Sequence, residues 1–121
     1  MNVVHHTHYL VWFEIGRTEL MRSLGCDYAS VEDAEGIQFP LRRVGVRYRA
    51  PARYDDVVDV RTRLVATGGA SVRFEYRVIH GSDGRLLATG FTEHAATGKE
   101  GRPCRLPAEL RRRLVAGTTR P

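Results

Sequence analysis

The sequence predicts an α+β fold in which one long amphipathic helix is wrapped by a small antiparallel sheet. Two periodicities and the turns between them carry this expectation. From Tyr9 to Leu24 apolar residues recur at intervals of three and four, the spacing of one helix face, and from Val44 onward the pattern changes to strict alternation. A glycine pair and an Asp-Gly step separate the later alternating runs by hairpin lengths.

The helical stripe consists of Leu10, Phe13, Leu20, Met21 and Leu24, with Arg17 filling its gap. Thr7 is placed to cap the helix start, and Gly25 follows the last apolar residue, where a left-handed cap favours a residue without Cβ. Val11 and Trp12 widen the apolar surface beyond one stripe, which predicts a helix enclosed on more than one side. Cys26 to Gly36 has no period and reads as a connecting loop. Val44, Val46 and Tyr48 then alternate with Gly45, Arg47 and Arg49 as a first strand. Pro51 to Asp56 breaks that strand from a second, in which Val58, Val60, Thr62 and Leu64 alternate with Asp59, Arg61 and Arg63. A third strand holds Val72, Phe74, Tyr76 and Val78 in phase, and a last run spans Leu86 to Ala96. Gly68-Gly69 and Ser82-Asp83-Gly84 supply the turns, so the last three strands form an antiparallel meander. Pro107 opens a short basic helix, Ala108 to Val115.

A chain of 121 residues suits a single domain, residues 1–121, and 42% apolar with 27% charged residues is ordinary for a chain that folds. No apolar run approaches the roughly 20 residues of a membrane helix, and no basic-then-apolar leader opens the chain, so the reading is cytoplasmic. Cys26 and Cys104 stand apart, without the spacing of a disulfide framework or zinc site. The net charge of +5 is almost wholly guanidinium, since Lys99 is the one lysine; it reads as arginines spread over solvated strand faces, with phosphate binding as the other reading. Aromatic residues do not interleave with the basic ones, so nucleic acid is not an expected partner. A sheet this small leaves an edge or a face to protect, which predicts self-association.

The stretch Val3-Val4-His5-His6-Thr7-His8-Tyr9-Leu10, followed by Phe13-Glu14-Ile15-Gly16-Arg17-Thr18-Glu19, resembles the signature of 4-hydroxybenzoyl-CoA-type acyl-CoA thioesterases. That signature has D-x-D, a short glycine-containing turn, V-V-(Y/H)-H-x-x-Y-(L/V) and a helix with F-E-x-x-R-T-E. The likeness continues through Arg47-Tyr48-Arg49-Ala50-Pro51-Ala52-Arg53-Tyr54-Asp55-Asp56, where the family has Y-x-x-P-A-x-Y-x-D. It closes on Gly101-Arg102-Pro103-Cys104-Arg105-Leu106-Pro107, matching G-(R/K)-P-x-x-(L/I)-P. The resemblance implies a hotdog fold, a homodimer or homotetramer with sites at the dimer interface, and hydrolysis of an acyl-CoA to free acid and CoA. It implies no metal or redox cofactor and no membrane.

The family's catalytic aspartate belongs a few residues before Val3, so its position and the fold's first strand precede Met1. The expectation is a start assigned too late, with an Asp-x-Asp string in frame upstream. The other reading is a hotdog module that binds CoA thioesters without hydrolysing them. His6 matches the family position whose backbone N–H faces the oxyanion at a helix N-terminus. Glu14 is the surviving carboxylate on the central helix, read as a catalytic acid or base, as a structural partner of Arg17 or Arg22, or as a residue that holds the partner chain. Glu19 reads as a solvated partner of Arg22. Tyr9 is placed at the site mouth, and Arg47, Arg49 and Arg53 read either as holding the CoA phosphates or as exposed edge-strand arginines. His5, His6 and His8 have no carboxylate at ligand spacing and give no metal site, while His5, His8, His80 and His94 are assigned no chemistry. The acyl group is not specified by these residues.

Overall fold

In the computed structural model of the chain, residues 7–25, 36–53 and 56–116 of the 121 are described. Helix α1 spans Thr7–Ser23, and strands β1 (Leu41–Tyr48), β2 (Val58–Thr67), β3 (Ser71–His80) and β4 (Leu86–Ala95) follow. A single 3-10 turn at Lys99–Gly101 leads to helix α2, Ala108–Ala116. The strands form one antiparallel sheet in the order β1-β4-β3-β2. The expected meander is therefore present as β2-β3-β4. β1 crosses over to pair with β4 rather than with its neighbour in sequence. This is the α+β hotdog layout, with α1 lying on one face of the sheet.

Local chemistry places the joints. Gly68 donates its N–H to the Ser71 carbonyl at 2.9 Å to close the β2–β3 turn, and Gly84, at φ 75°, does the same to His80 at 3.0 Å. α1 ends as expected, with Gly25 in the left-handed region at φ 75°. The free carbonyl there is met by a charge from far along the chain, because Arg113 Nη1 of α2 donates to Gly25 O at 2.7 Å. At its other end α1 begins at Thr7 itself, so Thr7 is its first residue and the capping position falls outside the described residues. The expected loop from Cys26 also lies outside them as far as residue 35.

The buried stripe of α1 differs from the expected one by a single position. Tyr9 is 2% exposed, whereas Leu10 is 40% exposed. Phe13, Met21, Leu20 and Leu24 turn to the sheet as expected. The prediction of a helix enclosed on several sides fails within one chain, since Val11 and Ile15 are more than half exposed. Below α1 the inward residues of the sheet, Leu64, Phe74, Tyr76, Val78 and Ala88, are buried and make the core.

How closely helix and sheet approach is set by Phe13. Its ring stacks on Tyr76 with centroids 4.2 Å apart and planes 8° from parallel. It also lies over Gly90 of β4, where an added Cβ would come within 2.5 Å of two ring carbons and 2.8 Å of the Gly45 carbonyl oxygen. Gly90→Ala should therefore destabilise the fold by about 1–3 kcal/mol, the usual cost of overpacking a core. Urea unfolding checks this. Combining it with Phe13→Leu should recover only part of the loss, because the second clash is with backbone.

Candidate functional site

Two of the sequence motifs meet at the start of α1. Tyr9, from the first, packs its ring edge-on against Tyr48 at 5.0 Å and against Trp12 at 4.9 Å. The Ala52 backbone, from the second motif, bonds its hydroxyl, and burial raises the Tyr9 pKa above its ordinary 10.0. Tyr9 is thus a buried anchor joining α1 to the end of β1. The loop beyond β1 is held in turn. Asp56 accepts the Arg53 N–H at 2.8 Å, and His80 Nε2 lies 3.3 Å from the Asp56 carboxylate. That backbone bond is the main reason the Asp56 carboxyl lies below its ordinary value. The third motif fastens at the far end of β4, with Cys104 N–H on Ala96 O at 3.0 Å and Leu106 N–H on Gly69 O at 2.8 Å. Ala88, opposite Tyr48, and Ala96 are eight residues apart on that strand. At 3.3 Å per residue this is about 26 Å, so the third motif is a strap and contributes nothing at the Tyr9 end.

The remaining candidates separate into those near this end and those outside the described residues. His6, like His5, is outside them. Glu14 stands exposed on α1. The structural pairings expected for it are not formed, because Arg22 bonds Glu19 at 2.9 Å and Arg17 turns to the Tyr76 hydroxyl. The Glu19–Arg22 pair is the expected one. Arg47, Arg49 and Arg53 are all exposed, Arg47 on the sheet face away from α1 and the other two along the loop after β1. Among the described residues no group of three or more His, Cys, Asp or Glu gathers closely enough to hold a metal ion.

A polar chain beneath α1 was not expected. Tyr76 Oη lies 2.6 Å from Thr92 Oγ1, Thr92 Oγ1 lies 3.0 Å from His94 Nε2, and His94 Nδ1 lies 3.1 Å from the Phe39 carbonyl oxygen. The carbonyl can only accept, so His94 carries its proton on Nδ1 and Nε2 accepts from Thr92. Thr92 oxygen then accepts from Tyr76, whose own oxygen faces the Arg17 guanidinium. Every bond in the chain has one direction. Protonating Nε2 would take away the acceptor of the Thr92 hydroxyl, which is buried. Burial, with Arg17 nearby, holds His94 below its ordinary pKa of 6.5, against the opposing pull of the Phe39 carbonyl. The signal in the sequence was the phase of β4: Thr92 and His94 stand in the same inward register as Ala88 and Gly90.

Comparison with known proteins finds relatives both by sequence and by fold. A family model described as thioesterase-like superfamily matches residues 1–114. The chain is 31% identical over 100 residues to the "Putative acyl-CoA thioesterase YneP" of Bacillus subtilis, covering 83% of this chain and 71% of that one. Among solved structures, the hypothetical protein TT1821 from Thermus thermophilus superimposes with a TM-score of 0.89 at 39% identity, over 99% of this chain and 88% of that chain. The DHNA-CoA thioesterase from Staphylococcus aureus gives a TM-score of 0.86 at 28% identity, over 96% and 81%.

The buried histidine makes stability depend on pH with a definite sign. The folded state binds the His94 proton less well than the unfolded chain, so below about pH 6.5 unfolding takes up a proton and stability falls as the pH drops toward the depressed value. Above pH 6.5 the group contributes no slope. Urea midpoints between pH 7.5 and 5 should show this loss, and His94→Gln should remove up to one proton's worth of slope, about 1.4 kcal/mol per pH unit. An unchanged slope in the variant would show that His94 is not the group responsible.

Proposed function

Because the chain belongs to the thioesterase-like superfamily, we propose that it hydrolyses acyl-CoA thioesters to a free acid and CoA. The observation that carries this reading is the meeting of Tyr9 with Tyr48 and Ala52, which draws two motif segments together at the N-terminal end of α1. A thioester carbonyl becomes an oxyanion on attack, and the unsatisfied N–H groups and dipole of a helix N-terminus suit that charge. His6 is assigned the backbone N–H that receives it. Glu14, about two turns into the helix from Thr7, is assigned the carboxylate that activates water or attacks the carbonyl. Arg49 and Arg53, with Arg47 across the edge of β1, are assigned the phosphates of CoA. A cytoplasmic setting goes with a CoA substrate.

The apolar surface left on one chain supports a homodimer or homotetramer. Leu10, Val11 and Ile15 of α1 are exposed, as are Leu41, Val44 and Tyr48 of β1, whose outer edge has no partner strand among the described residues. Sedimentation at micromolar concentration should find at least a dimer, and a stable monomer would remove the assembly from the proposal. The chemistry is tested by thiol release from acyl-CoA. Glu14→Gln should lower turnover about 100-fold or more at unchanged melting temperature. Unchanged turnover would take Glu14 out of the site. A folded, assembled chain that binds acyl-CoA but releases no thiol from any of them would replace hydrolysis by binding alone.

A further inference from the structure

The face of the sheet turned away from α1 is organised in rows by the strand register. One row runs Arg43, Glu93, Arg73, the next Gly45, Phe91, Glu75, Arg63, and the third Arg47, Thr89, Arg77, Arg61. In the first two rows every arginine has a carboxylate partner, three arginines sharing Glu93 and Glu75. Arg43 and Arg73 share Glu93 at 3.2 and 2.5 Å, and Arg63 and Arg73 reach Glu75 at 2.7 and 3.6 Å. The third row has no carboxylate. Arg61 leans out of it to Asp59 at 3.3 Å, while Arg47 and Arg77 make no ion pair with any described residue.

We propose that the Arg47–Thr89–Arg77 row is a binding site for a phosphate group. Arg47 and Arg77 stand one strand to either side of Thr89, so their backbones are about 10 Å apart. Two side chains of that length can close over the Thr89 hydroxyl from both sides, offering guanidinium forks and an O–H donor to one set of oxygens. Arg77 is also directly opposite Arg61 in the register, a juxtaposition of like charges that an anion relieves. The row lines a groove of about 850 Å³ that continues over Phe91 and Gly45. Phe91 lies flat against Gly45, where a Cβ would come within 2.4 Å of the ring, and the Arg73 guanidinium sits 4.2 Å from its centroid. A cationic row with a hydroxyl at its centre suits the oxygens of a phosphate ester, such as the phosphorylated end of a nucleotide. The phosphate has two possible sources: the nucleotide end of CoA, which rests on the thioesterase reading, and a separate nucleotide, which does not.

Calorimetry on the whole chain with inorganic pyrophosphate and with adenosine 3′,5′-bisphosphate tests the site without any turnover. Arg77→Gln, at an exposed position, should keep the melting temperature and weaken both ligands about tenfold or more. Arg102→Gln, an exposed arginine in the strap, should leave binding unchanged. No binding by the parent chain at millimolar ligand, or equal binding by both variants, overturns the proposal. A change of mass in sedimentation on Arg77→Gln with no change in pyrophosphate binding overturns it too, because the face would then meet a second copy. Where binding is lost, kinetics name the source. A KM raised several-fold for acyl-CoA, with turnover of the acyl N-acetylcysteamine thioester unchanged, assigns the row to CoA, and an unchanged KM assigns it to a separate nucleotide. Failure of the thioesterase reading would appear as absent turnover with the calorimetric result intact.

Discussion

The Phe13 ring occupies the space that a side chain at residue 90 would need, and the distance between α1 and the sheet follows from that contact. With glycine at 90 the ring reaches the backbone of β4 and stacks on Tyr76 of β3 at the same time. A second glycine works from the opposite side. Gly16 of α1 sits over β2 so closely that a Cβ there would come within 2.3 Å of Thr62 Oγ1. The helix is thus seated on three adjacent strands, β2, β3 and β4, by one ring and two missing side chains. β1, at the far edge, receives less cover, and its inward residues Val44 and Tyr48 stay exposed for that reason.

Among the described residues one buried polar atom beneath the helix, Thr62 Oγ1, has no hydrogen-bond partner, while the others there satisfy one another. Tyr76, Thr92 and His94 do so in a chain that ends on the Phe39 carbonyl, which ties the segment before β1 to the middle of the sheet. The opposite face obeys another economy. It is open to solvent, so charged residues stand there in cross-strand rows, each exposed pair contributing little, with the pattern of pairing setting where positive charge is left over.

The elements were legible because they rest on local chemistry. Period identified α1 and the four strands, and glycine identified both hairpin turns and the end of α1. What could not be read depends on residues far apart in sequence. Nothing local tells β1 to pair with β4 across the meander, and that pairing decides that Tyr48 meets Tyr9. It also explains the error in the buried stripe: Tyr9 and Leu10 fit the helical period almost equally, and only the presence of Tyr48 and Ala52 turns Tyr9 inward. His94 carried a visible signal, a histidine in the inward phase of a strand, but its partner Phe39 lies 55 positions away. The motifs pointed to the N-terminal end of α1, and two of the three meet there. The third closes the fold elsewhere, which motif order along a chain cannot reveal.

Arg47 and Tyr48 are consecutive, yet the pleat of β1 sends them to opposite faces of the sheet. Tyr48 touches Tyr9 at the start of α1, and Arg47 begins the uncompensated row on the outer face. Since β1 is an edge strand among the described residues, these two environments are separated by the width of one strand rather than by the whole sheet. A ligand with a reactive acyl end and a phosphorylated end has to satisfy opposite demands, a water-poor site at one end and cations at the other. On the thioesterase reading, the edge of β1 is where a flexible arm between those ends can pass without crossing the core. On the same reading, the exposed apolar residues Leu41, Val44 and Tyr48 of that strand are available to a second subunit. A second subunit placed there would form the wall of the path, and the active site would be complete only in the assembled protein.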